Sequence, residues 1–174
     1  FVYSKNYADT FNVENIIQKN KDKTIDFLFT GALTEYRLKL LENLKKNSDL
    51  KIEYTDLEQD HKKRLETLSK TKFLLGLKQN QFQTFISVNR IYNAIITEIP
   101  ILVEGENYFT PSYFHDFIYL EKTETFLAKM KEMSKNYDFY KNDFVNKKKL
   151  YLEFSEKHKE ELKEFIKQFN PKNA

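Results

Sequence analysis

The stretch SVNRIYNAIITEIPILVE, from Ser87 to Glu104, decides the fold. Apolar residues at Phe85, Val88, Ile91, Tyr92, Ile95 and Ile96 recur at helical spacing. Pro100 interrupts the pattern, and Ile99, Ile101, Leu102 and Val103 form the short apolar run of a strand buried on both faces. Arg90 lies within the helix among mostly apolar neighbours. A charge there must reach solvent, an anionic partner or a carbonyl. An Arg beside a strand-rich core is also what a phosphate-bearing ligand requires.

The same alternation extends outward in both directions. TIDFLFTG, ending at Gly31, reads as a strand, and Leu33 to Lys46 as a helix with Leu33, Tyr36, Leu40, Leu41 and Leu44 on one face. KIEYT, from Lys51 to Thr55, alternates as a strand. A charged helix over 57–69 turns Leu57, Leu65 and Leu68 inward. KFLLGLK, from Lys72 to Lys78, reads as a buried strand, and FIYL, from Phe117 to Leu120, as a fifth. Strands alternating with helices imply right-handed crossovers and a parallel sheet with helices on both faces. The expected fold is therefore α/β, a three-layer Rossmann-like domain with a mostly parallel sheet of about five strands.

After Glu121 the pattern is helical only. Phe126, Leu127, Met130 and Met133 line one face, and Tyr137, Tyr140 and Phe144 the next. A last helix from about Lys149 repeats Tyr151, Phe154, His158, Leu162, Phe165 and Phe169 and stops before Asn170–Pro171. Three segments follow: a lead-in over 1–23, with Asn12 capping a short helix carrying Phe11, Val13, Ile16 and Ile17; a Rossmann-like domain over 24–147; and a C-terminal amphipathic helix over 148–174 that packs on it.

The Arg90 segment carries a resemblance. Arg90, Ile91, Tyr92, Asn93, Ala94, Glu98, Pro100 and Ile101 fall in the order of the signature in the C-terminal, donor-binding half of GT-B-type glycosyltransferases. DFLFTGALTEYRLKLLENL, from Asp26 to Leu44, resembles the first strand, Gly turn and helix of that half, and the likeness covers roughly residues 24–147. The chain departs from the pattern at two places. Asn93 stands where the family has a Glu that holds the donor ribose, and Glu98 where it has a Gly. The resemblance implies binding of a nucleotide-diphosphate sugar, transfer to an acceptor, a catalytic base supplied by an N-terminal half of the same protein, and no required cofactor or metal. It assigns no catalytic residue in this chain.

Bulk properties bound the alternatives. At 174 residues the chain suits one domain, and its high aromatic content with scarce Gly and Pro is that of a globular protein. The net charge of +3 argues against a dedicated nucleic-acid binder. Without Cys, disulfides, thiolate metal sites and Cys nucleophiles are excluded, which fits a reducing, cytoplasmic setting. No apolar run approaches the ~20 residues of a spanning helix. The chain starts at Phe1 rather than Met, as expected of a fragment of a longer protein.

Ligands of open parallel sheets bind at the carboxyl ends of the strands, which selects the loops that matter. Gly31 would let backbone amides approach a phosphate, and Arg37 lies one turn into the next helix. Lys78 follows the third strand. Ser87 opens the helix that carries Arg90, and Asn93 lies one turn on along the same face. Gly31, Arg37, Lys78, Ser87, Arg90 and Asn93 are the candidate donor-binding residues. Four of them have a plainer role: a tight turn for Gly31, solvation for Arg37 and Asn93, an ion pair or helix-end contact for Arg90. His61, His115 and His158 are scattered and form no metal-ligand pattern, and only His115–Asp116 lies near the ligand edge. Two other classes compete with the transferase: a non-catalytic interaction module that keeps the sheet without the donor site, and a doubly wound signalling domain, which needs an acidic cluster after the first strand.

Overall fold

The computed structural model describes residues 22–55, 61–83, 86–106 and 112–168. The lead-in helix, Leu57 and Phe85 lie outside these residues, as do the side chains of His61, Phe154, His158, Leu162, Phe165 and Phe169. The order of elements is β1 (Ile25–Thr30), α1 (Glu35–Lys46), β2 (Ile52–Thr55), α2 (His61–Ser69), β3 (Thr71–Gly76), α3 (Val88–Thr97), β4 (Ile101–Glu104), a 3-10 turn (Ser112–Phe117), β5 (Ile118–Glu121), α4 (Phe126–Lys135) and α5 (Tyr137–Gln168). The strands form one five-stranded sheet in the order β2-β1-β3-β4-β5, and every pairing is parallel. The expected α/β architecture is the one observed.

Strand alternation divides the core in two. Phe27, Phe29, Phe73, Leu75 and Leu102 point to one face, where they meet Leu41 and Leu44 of α1 and Phe126, Met130 and Met133 of α4. Phe27 and Phe73 stack there at 5.0 Å between ring centroids. Leu28, Leu74, Ile101 and Val103 point to the other face, against Leu68 of α2 and Ile91, Ala94 and Ile95 of α3. Each fully buried Phe or Leu contributes about 2 kcal/mol through area removed from water. With two buried faces, β1, β3 and β4 have few polar positions to place.

The turn out of α3 holds a non-glycine residue in a left-handed conformation. The Glu98 amide bonds to Ile95 O at 3.3 Å and the Ile99 amide to Ala94 O at 3.1 Å. This is the Schellman pattern, with its left-handed residue at Glu98, φ 53°. Glycine adopts that conformation without a side-chain penalty. Glu98 is retained against it by α5: Lys148 Nζ lies 3.1 Å from its carboxylate, Lys141 Nζ lies 3.7 Å away, and Lys141 also bonds its carbonyl.

The C-terminal helix starts earlier than its apolar stripe suggests. One helix runs from Tyr137 to Gln168, so the expected boundary at 148 falls inside it. Tyr140 joins the core on one face of the sheet and Phe144 the core on the other, so α5 passes the β5 end of the sheet. Tyr119 of β5 donates to Asp143 at 2.6 Å, and Tyr151 packs edge-on against Phe117 at 5.5 Å. Burial and the Asp143 carboxylate both hold the Tyr119 phenol protonated. No helix among the described residues is long and apolar enough to cross a membrane.

Candidate anion site at the β1–β3 edge

The chain leaves β1 toward β2 on one side and returns across it to β3 on the other. The crevice between the carboxyl ends of β1 and β3 is thus the point where strand order reverses, the place such sheets offer to ligands. Two guanidinium groups fill it.

Arg90 enters from α3. Its Nη1 donates to Thr30 O at 2.7 Å, and its guanidinium carbon lies 4.8 Å from the centre of the Phe29 ring. A Cβ built on Gly31 would lie 2.5 Å from Arg90 Nη2, closer than side chains tolerate. Gly31 also holds φ +134°, and its own amide donates to Thr55 O at 3.1 Å. The glycine therefore makes room for Arg90, while its N–H is taken by the end of β2 rather than being presented to a phosphate. Burial lowers the Arg90 pKa to about 10, helped by the charges of Arg37 and Arg64.

Arg37 enters from α1 and is 4% exposed. Nη1 donates to Ala32 O at 2.8 Å, Nη2 to Leu77 O at 2.9 Å, and Nε to Lys78 O at 3.0 Å. Its guanidinium carbon lies 5.1 Å from the centre of the same Phe29 ring. Arg37 thus ties the loop after β1 to the loop after β3. Thr34 caps α1 by accepting from the Arg37 amide at 3.4 Å, and its hydroxyl donates to Gln79 O at 2.8 Å.

The other candidates lie around this pair. Lys78 is half-buried and enters through its backbone, which Arg37 and Glu104 hold. Ser87 is exposed, makes no side-chain cap bond, and accepts the Arg90 amide at its carbonyl at 2.9 Å. Asn93 is exposed, and its carbonyl takes the Thr97 hydroxyl at 2.6 Å. Gly31, Arg37 and Arg90 are brought together, with Lys78 attached through the loop; Ser87 and Asn93 stand at the exposed rim of α3. His115 and Asp116 are exposed within the 3-10 turn.

Sequence reasoning overlooked Glu104. This carboxylate ends the otherwise apolar β4 and is wholly buried. It accepts from the Tyr36 hydroxyl, from Thr123 Oγ1 at 2.9 Å and from the Lys78 amide at 3.1 Å. Burial, then the Glu104 hydrogen bond and charge, push the Tyr36 phenol up to about 12. A lone carboxylate closing an apolar run at the carboxyl edge was the available signal. Phe29, read only as part of a strand, is the shared platform of both arginines, and Arg64 adds a third positive charge. Among the described residues no group of three or more metal-ligating side chains is placed to hold an ion.

No protein-family model, curated protein or solved structure matches this chain.

Proposed function

We propose that this domain binds the diphosphate of a nucleotide-sugar donor at the β1–β3 edge, as the donor-binding part of a glycosyltransferase. One observation carries the reading. Arg90 is held over Gly31 at the point of strand reversal, and its charged neighbours are Arg37 and Arg64, which repel it. A phosphate beside Arg90 would relieve that repulsion and accept charge-assisted hydrogen bonds from the guanidinium. In a transfer reaction the same guanidinium would stabilise charge growing on the departing diphosphate. The donor sugar and the transferase activity come from the resemblance of the Arg90 and Gly31 segments, which also implies a partner N-terminal half carrying the base. The acidic pocket of a signalling receiver has no place here, since the end of β1 is occupied by arginines.

Arg37 and Asn93 favour the second reading, an interaction module without a donor site. Arg37 spends its donors on carbonyls, and an exposed Asn93 replaces the ribose-holding Glu. Titration with UDP and GDP, followed by NMR and calorimetry, separates the two. Shifts at Gly31, Ser87 and Arg90 that vanish in Arg90→Ala support donor binding. Their absence at millimolar ligand supports the module. The isolated chain is expected to bind weakly and not to turn over a donor, because a cleft closed on one side positions little.

A further inference from the structure

Beyond β3 the chain makes a tethered turn. Its root is fixed by Arg37 on the Leu77 and Lys78 carbonyls and by Glu104 on the Lys78 amide. Thr34 of α1 holds the Gln79 carbonyl at 2.8 Å. The turn then closes on itself: the Phe82 amide donates to Asn80 Oδ1 at 3.0 Å, the Gln83 amide to Asn80 O at 3.3 Å, and the Gln79 amide to the Gln83 side chain. From this turn Phe82 projects its ring into solvent, 79% exposed, more than any other large apolar residue described. A single exposed Phe is ordinary by itself. This one is carried on a turn bonded to α1, to β4 and to itself, on the ligand edge of the sheet. It lies four positions after Lys78, at most about 14 Å of extended chain and less across a closed turn.

We infer that Phe82 is the platform on which the nucleobase stacks when the phosphates sit at Arg90. The inference rests on the anion-site reading above. Stacking uses the flat face of any base, so a Phe ring reads that a base is present rather than which one. The site therefore selects nucleoside diphosphates over inorganic pyrophosphate, with little preference between uracil and guanine. Because the turn is already ordered, little backbone freedom is lost when the base arrives.

The test compares UDP, GDP and inorganic pyrophosphate by calorimetry on the full chain and on Phe82→Ala, whose exposed position leaves folding intact. The expected result is that both nucleotides weaken by about 5- to 150-fold, the range for loss of one aromatic stack. Pyrophosphate affinity should stay within about twofold. The chain has no Trp, so Phe82→Trp provides a sole Trp, excited selectively over the 11 Tyr, that UDP and GDP should quench and pyrophosphate should not. Nucleotide affinity unchanged in Phe82→Ala, with pyrophosphate still binding, overturns the stacking role and leaves the anion site standing. Equal loss of all three ligands shows that Phe82 only shapes the loop, which also overturns it. Failure of every ligand to bind the unmodified chain overturns the stacking role together with the anion site.

Discussion

Replacing Gly31 by Ala should be among the more damaging single-methyl additions in this protein. Two costs combine. A non-glycine residue held near φ +134° stores about 1–3 kcal/mol of backbone strain. The new Cβ would also stand 2.5 Å from Arg90 Nη2, so the guanidinium must move. Moving it weakens the 2.7 Å bond to Thr30 O and the contact with Phe29, together about 1–3 kcal/mol. The expected destabilisation is about 2–6 kcal/mol. For a chain of this size each kcal/mol lowers the melting temperature by about 2–4 °C. Calorimetric melting of Gly31→Ala, Arg90→Ala and the double variant separates the parts. With Arg90 already shortened, the Gly31→Ala step should retain only the backbone strain, giving a coupling of about 1–3 kcal/mol between the sites. The same cost in both backgrounds would refute the claim that Gly31 exists to admit Arg90. A Gly31→Ala protein as stable as the parent would refute the backbone argument as well.

Other outcomes follow from the same contacts. Glu104→Gln should cost about 2 kcal/mol, since one of its buried donors then faces an amide N–H; in ring-labelled NMR the Tyr36 phenol should titrate below about 12 yet above its ordinary value, because burial, the larger cause, persists. Lys23 is held down to about 8, first by burial and then by Lys141, against an ordinary value of 10.5. Between those pH values the unfolded chain binds more protons than the folded one, so stability should rise with pH across that window; denaturant melts of Lys23→Gln should show a flatter rise, and an identical slope would remove Lys23 as the cause. Truncation after Lys148 deletes the Tyr151 ring from Phe117 and should cost about 1–3 kcal/mol; an unchanged melting temperature would show that the packing there contributes nothing.

What the sequence by itself determined is the architecture. The apolar runs of β1, β3 and β4 have few polar positions, and only strands covered on both faces need none. The helical spacing from Val88 to Ile96 and the Pro after it place α3 and the start of β4 within a residue or two of their observed bounds. One helix from Tyr137 onward read as two because its buried face passes from one core to the other between Tyr140 and Phe144, and local periodicity does not register a change of partner. Candidate residues were legible as types at strand ends, but not in their roles. Arg37 and Arg90 lie far apart in sequence and meet only because β3 pairs beside β1; that pairing turns Arg37 to backbone carbonyls and sets Arg90 over Gly31. Glu104 reads as the end of an apolar strand until the fold brings Tyr36, Lys78 and Thr123 from three separate segments around it. Burying a charge requires partners, and only the tertiary structure decides which residues those are.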